Sequence, residues 1–360
     1  MPDVLVFGAT GYTGQLTTRA LAARGADFVV AGRDRTRLEE LAAATGASGV
    51  AVARVGDVDA LAEAAAGVRV LLSCVGPFTT LGGTAAQAAL RAKVNYLDSS
   101  GEGAFIAGLI ERCDAPARAA GIAMAPAMGF DEVPADVAAT TATEGFAGAD
   151  LVLTYAVAAQ ASWGTIRSAI DVMSTEGRWI QEGKPRGVRA GDEERWVPMP
   201  PPLGPSRGVS FPLAEGHLAP LHLELGSLKL FVVAGGPARL GLRVLGPAWR
   251  AARSIPGMAD LVAGALGRPK GGPDQTHRSS AAWTILAEAT SGTRTRNVVM
   301  RGRDLYGLTA ELLATGAIAM ADPGYEPTGV LAPVEAVPVE RWRQELVRNG
   351  VSIEVFGSDQ

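Results

Sequence analysis

Val4-Leu5-Val6-Phe7-Gly8-Ala9-Thr10-Gly11-Tyr12-Thr13-Gly14 is the stretch that decides the fold. Four consecutive apolar residues read as a strand buried on both faces, and the Ala- and Leu-rich run from about Thr13 to Arg24 reads as a helix. The GxxGxxG loop lies directly between them. The first glycine permits a tight turn, the second lets backbone approach a pyrophosphate, and the third lets the helix pack closely on the strand. The helix start then offers unpaired N–H groups to the anion. Gly8, Ala9, Thr10, Gly11, Tyr12, Thr13 and Gly14 are therefore expected to cradle a dinucleotide.

Outward from this unit, short apolar strands alternate with helical stretches for about 130 residues. Further strands are expected at Phe28 to Ala31, Val50 to Val55, Val70 to Val75, Asn95 to Asp98 and Ile122 to Ala125. The intervening helices are Arg35 to Thr45, Val58 to Ala66, Thr84 to Lys93 and Gly103 to Ala120. Gly25, Gly46, Gly67 and Gly121 stand where left-handed helix caps are needed. The pattern predicts an α/β chain whose N-terminal domain, residues 1–133, is a Rossmann-type parallel sheet.

After Pro134 the rhythm changes to a strand at Leu151 to Ala159, a helix from about Thr165 to Gln181, and a Pro-rich stretch. Strands follow at Gly208 to Leu213, Leu228 to Ala234, Ala282 to Ala289 and Thr295 to Arg301. Residues 134–329 are therefore expected to form a second, α+β domain on a mixed or antiparallel sheet, serving substrate binding or dimerisation. Residues 330–360, a helix from Pro338 to Gly350 and a strand from Val351 to Val355, are expected to pack back onto the first domain.

At the end of the second strand an NAD site would carry a carboxylate for the ribose 2′-hydroxyl, but the sequence is Ala31-Gly32-Arg33. Arg33 can grip a 2′-phosphate bidentately, and Arg35 or Arg37 can add charge, so NADP(H) is the expected cofactor. The other strand ends supply the rest of the crevice: Asp57 near the adenine, or as a helix cap; Cys74, Val75, Gly76 and Pro77 against the nicotinamide ribose; and Ser99. Tyr96, Asp98, Glu102 and Asp131 are the candidates for the catalytic acid or orienting group. Trp163, Thr165 and Arg167, opening the second domain, are the candidates for lining a substrate cleft.

Composition narrows the function. Of 360 residues 48% are hydrophobic and 19% charged, a core-rich globular balance. A net charge of -4 excludes the basic footprint of a nucleic-acid partner. Two cysteines without a CxxC pair and three scattered histidines give no metal-ligand spacing, and a reducing, cytoplasmic setting is expected. No leader and no transmembrane segment are expected. Lysines occur only at 93, 184, 229 and 270, and the residue four beyond each tyrosine is Leu16, Ser100, Ala159, Ala310 or Gly329. The Tyr-x-x-x-Lys pair that protonates a ketone oxygen is absent.

GATGYTG at 8–14, AGR at 31–33, CVGPF at 74–78, NYLDSSGE at 95–102 and GFDEVPAD at 129–136 together resemble the saccharopine dehydrogenase-like oxidoreductases. That group includes the trans-acting enoyl reductases. The resemblance continues at SWGT (162–165), DLYGLT (304–309) and GVLAP (329–333), while 185–275 carries no matching motif. It implies NADP(H), a Rossmann domain and a second α+β domain, and no single substrate, since members act on amino-acid-derived imines as well as polyketide-bound enoyl chains. The expected reaction is reduction of an activated C=C of an enoyl thioester in lipid or polyketide metabolism; the alternatives are an imine reductase and a non-catalytic NADP(H) sensor. The substrate would be a small molecule or carrier-bound, with an acyl carrier protein as a candidate partner and a homodimer as a candidate assembly. Arg239, Arg243, Arg250 and Arg253 lie among apolar residues in 228–267, a pattern that suits a surface helix with its apolar face in the core, or one that meets a membrane surface or an acidic partner.

Overall fold

The computed structural model describes residues 2–158, 172, 175–236 and 272–358. They divide into two compact units: Met1–Gly101 with Phe105–Val133 and Leu305–Glu345, and Glu102–Ala104 with Pro134–Asp304 and Leu346–Gln360.

The first unit is a seven-stranded parallel sheet built from β1 (Val4–Phe7), β2 (Phe28–Gly32), β3 (Gly49–Val52), β4 (Val70–Ser73), β5 (Asn95–Asp98), β6 (Ala123–Ala125) and β15 (Gly329–Val330). The order is β15-β6-β5-β4-β1-β2-β3, so the winding reverses between β1 and β4. Ligands of open α/β sheets bind outside the carboxyl ends of the strands at such a reversal. Both faces of the sheet are covered, and β1 and β4 are buried throughout. The helices between the strands are α1 (Tyr12–Ala23), α2 (Arg35–Thr45), α3 (Val58–Ala65), α4 (Phe78–Leu81), α5 (Gly83–Ala92) and α6 (Gly103–Ala120). After α6 and β6 the chain enters α7 (Glu132–Thr143).

Counting α8 (Glu215–His222) and α9 (Gln275–Ser280) in the second unit, the helix at Leu305–Met320 is α10. It packs beside α1 and against β4 and β5, and twelve of its sixteen residues are buried. A helix apolar on all sides belongs inside a core. Gly316 allows the close approach, since a Cβ there would lie 3.2 Å from Leu97 Cδ1. From the middle of this helix Glu311 joins Arg24 and the buried Glu345 in an ion-paired cluster. Beside it lies a cavity of about 410 Å³ lined by Asp3, Arg24, Arg69 and Asp322 among others.

The second unit is a nine-stranded mixed sheet with the path β10 (Glu194–Val197), β11 (Ser206–Ser210), β12 (Leu225–Val233), β7 (Ala149–Ala158), β13 (Ala282–Ser291), β14 (Arg294–Arg303) and β16 (Ser352–Ser358). Only β12 and β7 run parallel among the pairs on this path. A hairpin of β8 (Gly177–Gln181) and β9 (Lys184–Val188) joins through β12.

Two expectations are corrected here. The helix expected to reach Gln181 does not cover Gly177–Gln181: that stretch is β8, turned back by Glu182 and Gly183, both at positive φ as a two-residue hairpin turn requires. Buried Trp179 packs on Phe231 with ring centroids 5.3 Å apart, tertiary contact that outweighs local helix propensity. Secondly, β16 does not return to the parallel sheet but pairs antiparallel with β14, and α10, expected in the second domain, completes the first unit. Most of the expected helix from Thr165, Trp163, Thr165 and Arg167 themselves, and the arginines at 239 to 253 lie outside the described residues.

Candidate functional site

The glycine loop is shaped as a phosphate cradle. Gly8 sits at φ +81, and the N–H groups of Gly8 and Ala9 both reach the Ala31 carbonyl, at 2.9 and 3.2 Å. A Cβ on Gly8 would lie 2.6 Å from Val75 Cγ2, and one on Gly14 would overlap the Gly8 carbonyl and come within 2.8 Å of Ala9 Cα. Each glycine therefore answers a steric demand. Gly11 is the N-cap of α1 and gives no side-chain acceptor, so the first turn of α1, from Tyr12 to Gly14, is where a bound pyrophosphate would meet the helix start. Gln15 Nε2 and Arg37 Nη2 each donate to the Thr10 carbonyl at 3.1 Å, holding the loop from both sides.

At the end of β2 the position of an NAD-type carboxylate is Gly32, whose missing side chain would face Leu38 and Thr10. Asp34 is spent on capping α2 through the Arg37 N–H at 3.2 Å. Arg35 pairs with Glu39 at 3.5 Å on the exposed helix face. Arg33 is exposed, and Arg37 leans over Thr10; these are the two residues that would hold a 2′-phosphate. Asp57 caps α3 through the Ala60 N–H at 3.0 Å, the helix-capping alternative of the two weighed from sequence. The cradle and this charge pattern fit NADP(H).

On the other half of the crevice, β4 runs into Cys74, Val75, Gly76 and Pro77, with the Cys74 N–H bonded to the Phe7 carbonyl at 2.9 Å. Burial pushes the Cys74 thiol up to about 12, so it stays protonated and is no nucleophile at neutral pH. At the end of β5 the fully buried Tyr96 donates its hydroxyl to Asp98 Oδ2 at 2.6 Å, and Asp98 Oδ1 accepts from the N–H groups of Ser100 and Ala127 at 2.8 and 3.1 Å. Burial raises Asp98, against the pull of these hydrogen bonds, and burial beside Asp98 raises Tyr96 well above the phenol range. Of the two roles expected for these residues, acid or orienting group, the hydrogen bonds match the second: Tyr96 and Asp98 form a buried brace tying the β5 and β6 loops together. Ser99 lies half-buried in the first of those loops.

Asp131 stands differently. It is half-buried in the loop between β6 and α7, next to the buried Glu132. A Cβ on Gly129 would lie 2.6 Å from Glu132 Oε2 and 2.8 Å from Asp131 Oδ1; one on Gly101 would lie 2.8 Å from Glu132 Oε1. The two glycines thus make room for two carboxyl groups at the carboxyl ends of β5 and β6. Glu132 stands at the same strand end, where an acidic residue reads from the sequence either as a substrate or carboxamide contact or as a helix-start acid.

Glu102, also expected as an acid, is buried and belongs to the second unit, where Gly103 beside it lies against the His217 ring. That unit holds further buried polar pairs: Tyr155 donates to Glu215 Oε1 at 2.5 Å, and His222 Nε2 meets Asp136 Oδ1 at 2.7 Å. Burial pushes His217 down to about 4, with Arg178 adding to the shift. Single histidines give no sequence signal of these partners. Among the described residues no group of three or more His, Cys, Asp or Glu could hold a metal ion, and no helix is long and apolar enough to cross a membrane.

Comparison with known proteins agrees with this crevice. Residues 4–158 match the family model of the saccharopine dehydrogenase NADP binding domain. The chain is 27% identical to a trans-acting enoyl reductase of Mycobacterium leprae over 93% of each chain. It is 31% identical to a lipid droplet localized protein of Caenorhabditis elegans over 41% of this chain and 37% of that one. Among solved structures, apo saccharopine dehydrogenase (L-Glu forming) of Saccharomyces cerevisiae shares the fold with a TM-score of 0.66 at 14% identity, covering 99% and 100% of the two chains.

Proposed function

We propose that this chain, whose residues 4–158 match the saccharopine dehydrogenase NADP binding domain, reduces the C=C bond of an α,β-unsaturated acyl thioester presented on a carrier protein. The likeness to an enoyl reductase along nearly the whole chain carries this reading, and the absence of a Tyr-x-x-x-Lys pair supports it. Bound NADPH supplies the hydride, which adds to the β-carbon. The glycine loop holds the pyrophosphate, and Arg33 with Arg37 holds the 2′-phosphate. Asp131 delivers the proton to the α-carbon, because it is the half-exposed carboxyl group at the ends of β5 and β6, where the nicotinamide half of the crevice lies. The buried Tyr96–Asp98 brace keeps the loop carrying it in place. The second unit is assigned the choice of acyl chain.

The test follows NADPH consumption with the crotonyl thioester of N-acetylcysteamine, against an imine formed from an amino acid and an aldehyde. Deuteride from C4-labelled NADPH should appear on the β-carbon of the saturated thioester. Asp131→Asn should lower kcat about a hundredfold while NADPH affinity stays within about threefold. Turnover of the imine and not of the thioester would replace this reading with C=N reduction, and NADPH binding without turnover of either would leave a sensor.

A further inference from the structure

The first turn of α10, Leu305 to Thr309, is separated from the parallel strands around the crevice by most of the chain, yet it touches both loops of the proposed reaction. The ring of Tyr306 meets that of Tyr12, in the dinucleotide loop, edge to face with centroids 5.1 Å apart and planes at 82°. The hydroxyl of Thr309, buried at 7% exposure, donates to the Leu305 carbonyl at 2.8 Å and accepts the N–H of Phe130 at 3.1 Å. A hydroxyl has one proton and two lone pairs, so the bond to Leu305 spends the proton and aims a lone pair outward. In a helix interior that back-bond is ordinary. Its second partner is not: Phe130 is the residue between Gly129 and Asp131.

Upstream of Phe130 the loop is held through Asp98, which fixes the N–H groups of Ala127 and Met128, and downstream the Val133 N–H donates to the Gly129 carbonyl at 3.2 Å. The Thr309 hydroxyl adds a tie at Phe130, next to Asp131 itself. We infer that Thr309 is a positioning residue: it sets the Gly129-to-Asp131 loop so that the Asp131 carboxyl stands in register with the cofactor loop, which the same turn of α10 meets through Tyr306. This rests on Asp131 being the proton donor of the proposed reaction. A misplacement of about 1 Å in such a group costs on the order of a hundredfold in rate.

Thr309→Val keeps the shape and removes the acceptor. With the crotonyl thioester as probe, kcat should fall about tenfold to a hundredfold, while KM and the NADPH dissociation constant stay within about threefold. Thr309→Ser, which keeps the oxygen, should restore kcat to within about threefold. Because Thr309 acts through Asp131, adding Thr309→Val to Asp131→Asn should cost almost nothing further. Unchanged kcat in Thr309→Val, an equal loss in Thr309→Ser, or the same loss repeated in the Asp131→Asn background would each overturn the inference. If Thr309→Val does not bind NADPH as a folded protein should, Thr309→Ala takes its place with the same outcomes. An Asp131→Asn enzyme as fast as the parent would instead refute the proton-donor assignment, and a parent inert to the thioester would refute the enoyl reading.

Discussion

Replacing Arg33 by alanine removes an exposed guanidinium from the end of β2, where Gly32 leaves no carboxylate and Arg37 already leans on Thr10. A hydrogen bond to a charged partner contributes about 1.5–3 kcal/mol. Exposure puts Arg33 near the lower end, so the loss is about 1.5 kcal/mol, slightly more than tenfold in the dissociation constant for NADPH. NADH has no phosphate there and should bind the variant as it binds the parent. Arg37→Ala should behave differently, because its side chain also holds the Thr10 carbonyl; both cofactors should weaken, NADPH more. Arg35→Ala, whose partner is Glu39 on the exposed helix face, should change neither by more than about twofold. Titration of nicotinamide fluorescence with both cofactors measures all three. The Arg33 effect should shrink as salt rises, since the Debye length is only about 8 Å at physiological ionic strength. An equal loss of NADPH and NADH in Arg33→Ala would refute the 2′-phosphate role, and a larger effect from Arg35 would show that the helix face, not the strand end, meets the cofactor.

Two further outcomes test the buried polar groups. Tyr96→Phe leaves Asp98 Oδ2 without its hydroxyl donor and should lower the unfolding free energy by about 1.5–3 kcal/mol in urea melts, with kcat of the folded enzyme within about threefold; a stable variant that has lost turnover would make Tyr96 the acid after all. His217 is held near 4 in the fold against an ordinary value of 6.5, so the unfolded chain binds the extra proton first. Stability should therefore be full above about pH 6.5 and fall as pH drops toward about 4, and His217→Gln should flatten that slope in urea midpoints taken across the window; an unchanged slope would assign it to other groups.

The parallel sheet was legible because its information is local. Its strands are uninterrupted apolar runs, and Gly25, Gly46 and Gly121 take positive φ just past the helices they stop. The third strand was read three residues too long: Val52 and Val55 are exposed, and the chain turns at Gly56 with φ +90 on the open edge of the sheet. In the second unit the burial of Trp179 against Phe231 makes a strand of a stretch that local propensity gave to a helix. The last strand alternates alike whichever sheet it joins. At the site, the glycine cradle is a sequence motif with a steric cause, but Tyr96, Asp98 and Asp131 are indistinguishable as strand-end residues until burial separates the fully buried brace from the half-buried Asp131. Thr309 meets a backbone N–H 179 residues away, and no local pattern announces such a partner.

The placement of α10 also bears on how the molecule is made. The chain segment from Pro134 to Asp304 is inserted between the sixth strand of the first unit and the helix that completes it. At a synthesis rate of ~5–20 residues per second, on the order of ten seconds or more separates the emergence of β6 from that of α10. For that interval the faces of β4 and β5 that α10 buries, Leu97 among them, are bare apolar surface on a nascent chain, the kind of surface that chaperones bind and that aggregates when unattended. A message truncated anywhere before Met320 leaves the NADP-binding sheet in that state permanently, however complete its glycine loop.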